Sequence, residues 1–261
     1  MEIETKRLLL RPVDAADVDE IARVVFGDPD VVGMLAHNTK DPADAHDAAE
    51  KWVRVMGRES EMWSDGGMGL FAMIPKGGGG ALAGVCGFYM ERNERQRWHG
   101  EYFYALGSPW HGNGLMSEAT DAVKDELRLL PDLEVIYGVY WDMINEASGK
   151  ILVRTGLRPA GRKSITEEYS PEKCRRMFDY DLWRMGKAQA GPTRSSVLVQ
   201  AARRAGGFVA EDVVTKSEAL GWLADAYGAR LTGEAAEIFE KARTNPGMAY
   251  LELRRDRETG S

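Results

Sequence analysis

The stretch Ser108-Pro-Trp-His-Gly-Asn-Gly-Leu-Met-Ser-Glu-Ala119 decides how this chain is read. Before it, Tyr102-Phe-Tyr-Ala-Leu106 is apolar and aromatic and stops at Gly107-Ser-Pro109. After Gly112 and Gly114, apolar residues return at helical spacing: Leu115, Ala119, Ala122, Val123 and Leu127. Strand, glycine turn and helix aim free backbone N–H groups and the positive end of a helix dipole at an anion. Glycine lets the backbone approach that anion, because no Cβ intervenes. A pyrophosphate-bearing ligand is the first expectation.

Other phosphate-binding patterns fit less well. No Lys followed by Ser or Thr closes the loop, and position 117 is Ser where a dinucleotide fingerprint needs its third glycine. The segment also lies far from the first strand of the chain. Read locally, it is equally a tight strand-to-helix turn of an ordinary α/β protein.

Composition narrows the class. Of 261 residues, 44% are hydrophobic and 29% charged, as in a soluble globular protein. No apolar run approaches the ~20 residues of a membrane span. Glu2, Glu4, Lys6 and Arg7 interrupt any signal-like start, and the two cysteines, Cys86 and Cys174, make neither a disulfide framework nor a metal site. A cytoplasmic protein without a metal or a membrane partner is expected. Residues 188–261 hold ten Lys or Arg and ten Asp or Glu, so the formal charge of −7 falls on residues 1–187. An acidic body argues against a nucleic-acid partner and suits a cationic one.

Along the chain, Asp14 caps an expected helix to Phe26, and Asp41 to Met56 reads as a second. Strands are expected over 68–74, 81–90, 100–106 and 134–141, with Lys76-Gly-Gly-Gly-Gly80 as a hairpin turn. A crossover helix falls at 116–130, a further helix at 147–154, a polar loop at 161–172, and a closing strand at 176–185. Gly186 to Thr193 reads as a linker. Three helical segments follow, at 197–205, 216–227 and 232–243, and then a strand-like Met248-Ala-Tyr-Leu-Glu-Leu253. The expected division is a main domain over 1–186, a linker over 187–195, and a small, mostly helical segment over 196–261. That segment carries no chemical motif. It is marginal as an independent fold, and its possible roles are a homodimer contact, a pocket wall or partner binding.

The span from Ile3 to about Met185 resembles the GNAT superfamily of N-acetyltransferases, above all the branch that acetylates N-terminal amines of ribosomal proteins. Three elements carry the likeness in the right order: Ile3-Glu-Thr-Lys-Arg-Leu-Leu-Leu-Arg-Pro12, His111-Gly-Asn-Gly-Leu-Met-Ser-Glu-Ala119, and Asn145-Glu-Ala-Ser-Gly-Lys-Ile-Leu-Val-Arg-Thr-Gly-Leu157. The family often has Gln or Arg three residues before the first loop glycine, and Pro109 stands there instead. The resemblance implies an α/β fold (an α+β mixed sheet), acetyl-CoA as the acyl donor, and an acceptor pocket bordered by the region between the first two helices.

It also implies roles. Backbone groups of Tyr104, Ala105 and Leu106 would bind the pantetheine amides, and N–H groups of Gly112, Asn113, Gly114, Leu115 and Met116 the pyrophosphate. Acetyl transfer needs a base for the acceptor ammonium, donors for the developing oxyanion and an acid for the departing thiolate. Glu101 falls where the family places a carboxylate base, with His99 and His111 as alternatives. Ser148 falls beside the coenzyme sulfur as the acid, although Ser there is also an ordinary helix cap. Asn145 would bond the pantetheine arm or a strand edge. Trp141, Trp110 and Tyr140 would line the acceptor tunnel unless they pack in the core. The expected acceptor is a primary amine, with a small molecule slightly favoured over a peptide N-terminus. A non-catalytic acyl-CoA-sensing module is the other reading.

Overall fold

A computed structural model describes residues 1–35, 45–142, 145–163, 170–187, 192–227, 233–244 and 248–254. After β1 (Ile3–Glu4) and β2 (Leu8–Pro12), the chain turns into a short helical segment. Asp14 caps it, accepting from the N–H of Ala16, while Asp17 accepts from the N–H of Asp14. The expected single helix to Phe26 is in fact a 3₁₀ turn, α1 (Val18–Ile21) and a π-type turn over Ala22–Phe26. Next come α2 (Pro29–Val32), α3 (Ala45–Met56), α4 (Glu61–Ser64), β3 (Leu70–Pro75), β4 (Gly84–Arg92) and β5 (Trp98–Leu106). The crossover elements are α5 (Leu115–Leu127), β6 (Leu133–Trp141), α6 (Glu146–Thr155) and β7 (Arg158–Lys163). The chain continues through α7 (Pro171–Lys187), α8 (Pro192–Ala210), α9 (Lys216–Tyr227), α10 (Gly233–Arg243) and β8 (Met248–Arg254).

The eight strands form one sheet in the order β1-β2-β3-β4-β5-β6-β8-β7. Only β5 and β6 are parallel. They pair from Trp98↔Leu133 as far as Glu101↔Tyr137, and beyond that point residues 102–106 leave β6. The sheet therefore splays open at Glu101.

Side-chain alternation assigns the two faces. Tyr102 donates to the carbonyl of Thr120 on α5, and Tyr104 to that of Ser148 on α6. Between them, Phe103 points to the opposite face, edge-on to Trp52 of α3 at 4.5 Å. The main core fills both layers with residues such as Leu8, Leu10, Phe26, Phe71, Cys86, Phe88 and Val123.

Two expectations change at the C-terminal side. Residues 176–185 do not close the sheet. They lie in α7, because Cys174, Met177 and Phe178 recur at helical spacing and are all buried. The closing partner is β8, which inserts between β6 and β7 in antiparallel register from Val135↔Arg254 to Trp141↔Met248. The loop expected over 161–172 is partly strand β7 and partly the start of α7, and residues 164–169 lie outside the described residues. The expected linker over 187–195 does not divide the sheet, and α8 already begins at Pro192. A second core gathers Trp141 of β6 with Phe178, Leu198, Phe208, Leu223 and Phe239.

Candidate active site

The splay of β5 from β6 opens a cleft of about 310 Å³. Glu101 through Leu106 of β5 line one side. The N-terminal turns of α5 and α6 line the others, and Asp30, Val31, Met34 and Leu35 form the end wall. Its lining carboxylates are Asp30 and Glu101.

The loop ahead of α5 has the conformation its glycines permit. Gly112 and Gly114 have φ of 76° and 69°, and Gly114 is the N-cap of α5 with no side chain capping the first turn. A Cβ at Gly112 would meet nothing within 4 Å, so the left-handed backbone, not crowding, calls for glycine there. The first N–H groups of a 13-residue helix are thus left for a ligand. His111 braces the loop by donating from Nε2 to the Leu106 carbonyl at 2.7 Å, and Asp28 accepts from the N–H of Ser108 at 2.8 Å. These features fit a pyrophosphate.

A second brace comes from the far end of the sequence. Glu118 on α5 accepts from Thr5 Oγ1 at 2.6 Å, from the Arg7 N–H at 2.7 Å and from Arg7 Nε at 2.6 Å. Arg7 Nη1 also donates to the Asn113 carbonyl at 2.7 Å. Partial burial pushes the Glu118 carboxyl up, but the hydrogen bonds from Thr5 and Arg7 outweigh it and lower its pKa overall.

At the α6 end, the helix cap is Asn145, not Ser148: its side chain accepts from the Ser148 N–H at 3.2 Å. Asn145 Nδ2 also donates to the Met34 carbonyl at 3.4 Å. Ser148 Oγ is left to meet the hydroxyl of Tyr104 at 2.7 Å. Burial holds the Tyr104 phenol well above its ordinary value of 10, with the Ser148 contact pulling the other way. The Tyr104 side chain thus belongs to the site along with the backbone groups expected of it. The alternation of Tyr102 and Tyr104 toward the α5–α6 face was the available signal.

The cleft brings together Glu101, Tyr104, Ala105, Leu106, Gly112, Gly114, Leu115, Met116, Tyr140, Asn145 and Ser148. Asn113, Trp110 and Trp141 are not among its lining residues. Trp141 is 3% exposed and packs edge-on to Phe208 in the second core, because β6 turns it to the face opposite Tyr140. Trp110 packs against the main core. His111 lines the cleft, whereas His99 lies outside it beside Asn93 and Glu134.

A family model for the acetyltransferase (GNAT) domain matches residues 7–158, more than half the chain. The chain belongs to the GNAT acetyltransferase family. Solved structures agree on the fold. The ribosomal-protein-S5-alanine acetyltransferase from Vibrio fischeri superposes with a TM-score of 0.50 at 19% identity, covering 64% of this chain and 87% of its own. The RimL ribosomal L7/L12 alpha-N-protein acetyltransferase in complex with coenzyme A gives 0.51 at 17% identity, covering 65% and 90%. An acetyl transferase from Salmonella typhimurium, described as modifying the N-terminal serine of ribosomal protein L7/L12, gives 0.51 at 16% identity, covering 65% and 91%. No curated protein sequence matches the chain. This acyltransferase is built on a mixed sheet with helices on both faces, and among its described residues no helix is long and apolar enough to cross a membrane.

Proposed function

We propose that this acetyltransferase moves an acetyl group from acetyl-CoA to the primary amine of a small molecule. The observation that carries the reading is the convergence of Glu101, the Tyr104–Ser148 hydroxyl pair and the Gly112–Met116 loop on one cleft. Loop N–H groups and the α5 N-terminus hold the pyrophosphate, while the β5 edge left unpaired beyond Glu101 offers backbone groups to the pantetheine arm. Acetyl-CoA, when bound, supplies an acyl carbon attached to a thiol leaving group.

Glu101 takes a proton from the acceptor ammonium, so that the amine can form the new C–N bond. As the C–S bond breaks, Ser148 Oγ gives its proton to the sulfur, and the second proton that the nitrogen sheds on becoming an amide restores the Tyr104–Ser148 pair, so neither hydroxyl is left ionised. Val31, Met34 and Leu35 line the cleft with apolar side chains, which supports a small acceptor that packs its body against them.

The test is thiol release from acetyl-CoA across small amines and peptides with free N-termini. Turnover of a small amine supports the reading, and turnover of peptides alone overturns the acceptor assignment. Glu101→Gln should keep acetyl-CoA affinity and slow turnover by roughly 10²-fold or more, the usual scale for general-base removal. Unchanged turnover in that variant takes Glu101 out of the chemistry.

A further inference from the structure

The family model ends at residue 158, so helices α7 to α10 and strand β8 lie outside the part that establishes the family. One residue of that addition reaches the cleft wall. Arg204 on α8 is 2% exposed, and its guanidinium carbon lies 6.0 Å from the centre of the Trp141 ring. Its Nη2 donates to the carbonyl of Gly33. Gly33 is the C-cap of α2, where a helix leaves carbonyls unsatisfied. The two residues after it, Met34 and Leu35, line the cleft with Val31 and Asp30.

The neighbouring carbonyl, that of Met34, accepts from Asn145, three residues before Ser148. Successive carbonyls of the wall are therefore fastened from two directions, one by the α6 cap and one by the C-terminal helices. Desolvating a guanidinium costs several kcal/mol. If α8 only had to cover Trp141, a Met or Leu would do so without that cost. Unlike Met or Leu, Arg204 brings a donor, and one of its nitrogens is spent on the Gly33 carbonyl.

We propose that Arg204 is a positioning residue that fixes the Gly33–Leu35 wall. The C-terminal segment is thereby a specificity element, and the acceptor it selects is a primary amine with an apolar body that packs on Val31, Met34 and Leu35. The substrate half of this statement rests on reading that end of the cleft as the acceptor side. Fastening of the wall does not.

The experiment compares the full-length chain with Arg204→Met, which keeps the length and apolar contacts, and Arg204→Lys, which keeps the charge without the planar fork. Amine kinetics use phenethylamine and ethanolamine, and amide hydrogen exchange is followed in peptides covering 31–35 and α5. Arg204→Met should raise KM for phenethylamine roughly ten-fold, the scale of a lost charge-assisted hydrogen bond. KM for acetyl-CoA should stay within about two-fold, since α2 meets the phosphate loop through Asp28 at its opposite end. Exchange should quicken over 31–35 and not in α5, with Arg204→Lys intermediate. Unchanged exchange at 31–35, or a rise equally large in α5, overturns the proposal. Wild-type preference for ethanolamine overturns the acceptor chemistry. If no amine is turned over but exchange at 31–35 still quickens, acetyl transfer to amines fails and the fastening of the wall stands.

Discussion

The phenolic oxygen of Tyr104 lies 2.7 Å from Ser148 Oγ and 3.0 Å from the Ser148 carbonyl oxygen. A strand residue and a first-turn helix residue, 44 positions apart, thus share a proton at the point where the sheet splays. Because burial holds the phenol above its ordinary range, Tyr104 stays a proton donor throughout the neutral range. The arrangement gives Ser148 a partner that orients its hydroxyl and can pass a proton to it only while taking one up itself.

Ser148→Ala should therefore lower kcat by about 10²-fold and leave acetyl-CoA binding nearly unchanged, as expected for loss of a general acid. Tyr104→Phe should cost less, about ten-fold, since Ser148 keeps its own proton for the first transfer. The double variant should be little worse than Ser148→Ala alone, because the two residues act in one relay. Additive losses in steady-state turnover would separate them.

Alkaline stability follows from the same buried face. Burial pushes the Cys86 thiol from 9.0 up to about 12, and it raises Tyr102 and Tyr104 above their ordinary 10. The unfolded chain gives up these protons first, so rising pH favours unfolding. Their contribution is whole below about pH 9 and declines as pH climbs toward 12, by up to about 1.4 kcal/mol per pH unit for each group. Urea unfolding midpoints should fall between pH 8 and pH 10.5, and Cys86→Ala should make that fall shallower. A midpoint independent of pH in this window would contradict the burial of these groups.

Much of the site was legible in the sequence because its signals are local. Gly112, Gly114 and the periodic apolar residues after them dictate the turn and the helix within a dozen positions. Asn145 and Ser148 likewise fall in a single helical turn. What could not be read depends on distant partners. Nothing near Arg7 shows that its guanidinium will meet Glu118 and the Asn113 carbonyl across more than a hundred residues. Trp141 looks like a cleft residue until strand alternation and Phe208 place it in a second core. Residues 176–185 carry enough aromatic and apolar side chains to suggest a strand, and only the packing of Cys174, Met177 and Phe178 against α8 shows the helical period.

Arg7 offers a direct probe of the phosphate loop. The two hydrogen bonds of its guanidinium hold the Asn113 carbonyl and Glu118, so the loop N–H groups are oriented before a ligand arrives. Arg7→Ala should raise KM for acetyl-CoA about five- to ten-fold, the scale of one or two hydrogen bonds, with little change in kcat at saturation. Calorimetric titration with coenzyme A should show the same loss. An unaltered affinity would mean that the left-handed glycines at 112 and 114 set the loop without help.

Truncation after Lys187 tests whether the C-terminal segment is separable from the acetyltransferase body. Strand β7 pairs only with β8 among the described strands, and β6 beyond Tyr137 keeps no other neighbour once β5 has left it. Removing residues 188–261 would take away β8 and uncover Trp141, Cys174, Met177 and Phe178, now at most 3% exposed. Each large apolar side chain returned to water costs about 1.5–3 kcal/mol, so a few of them consume most of the ~5–15 kcal/mol that holds a typical domain folded. The fragment 1–187 should express poorly, lose near-ultraviolet circular dichroism and fail to bind coenzyme A, rather than behave as a smaller enzyme. A cooperatively folded fragment with full coenzyme affinity would show instead that the sheet tolerates the loss of β8. In that case the helices would be a separable unit joined at 187–195, and the acceptor wall would have to be held by Asn145 alone.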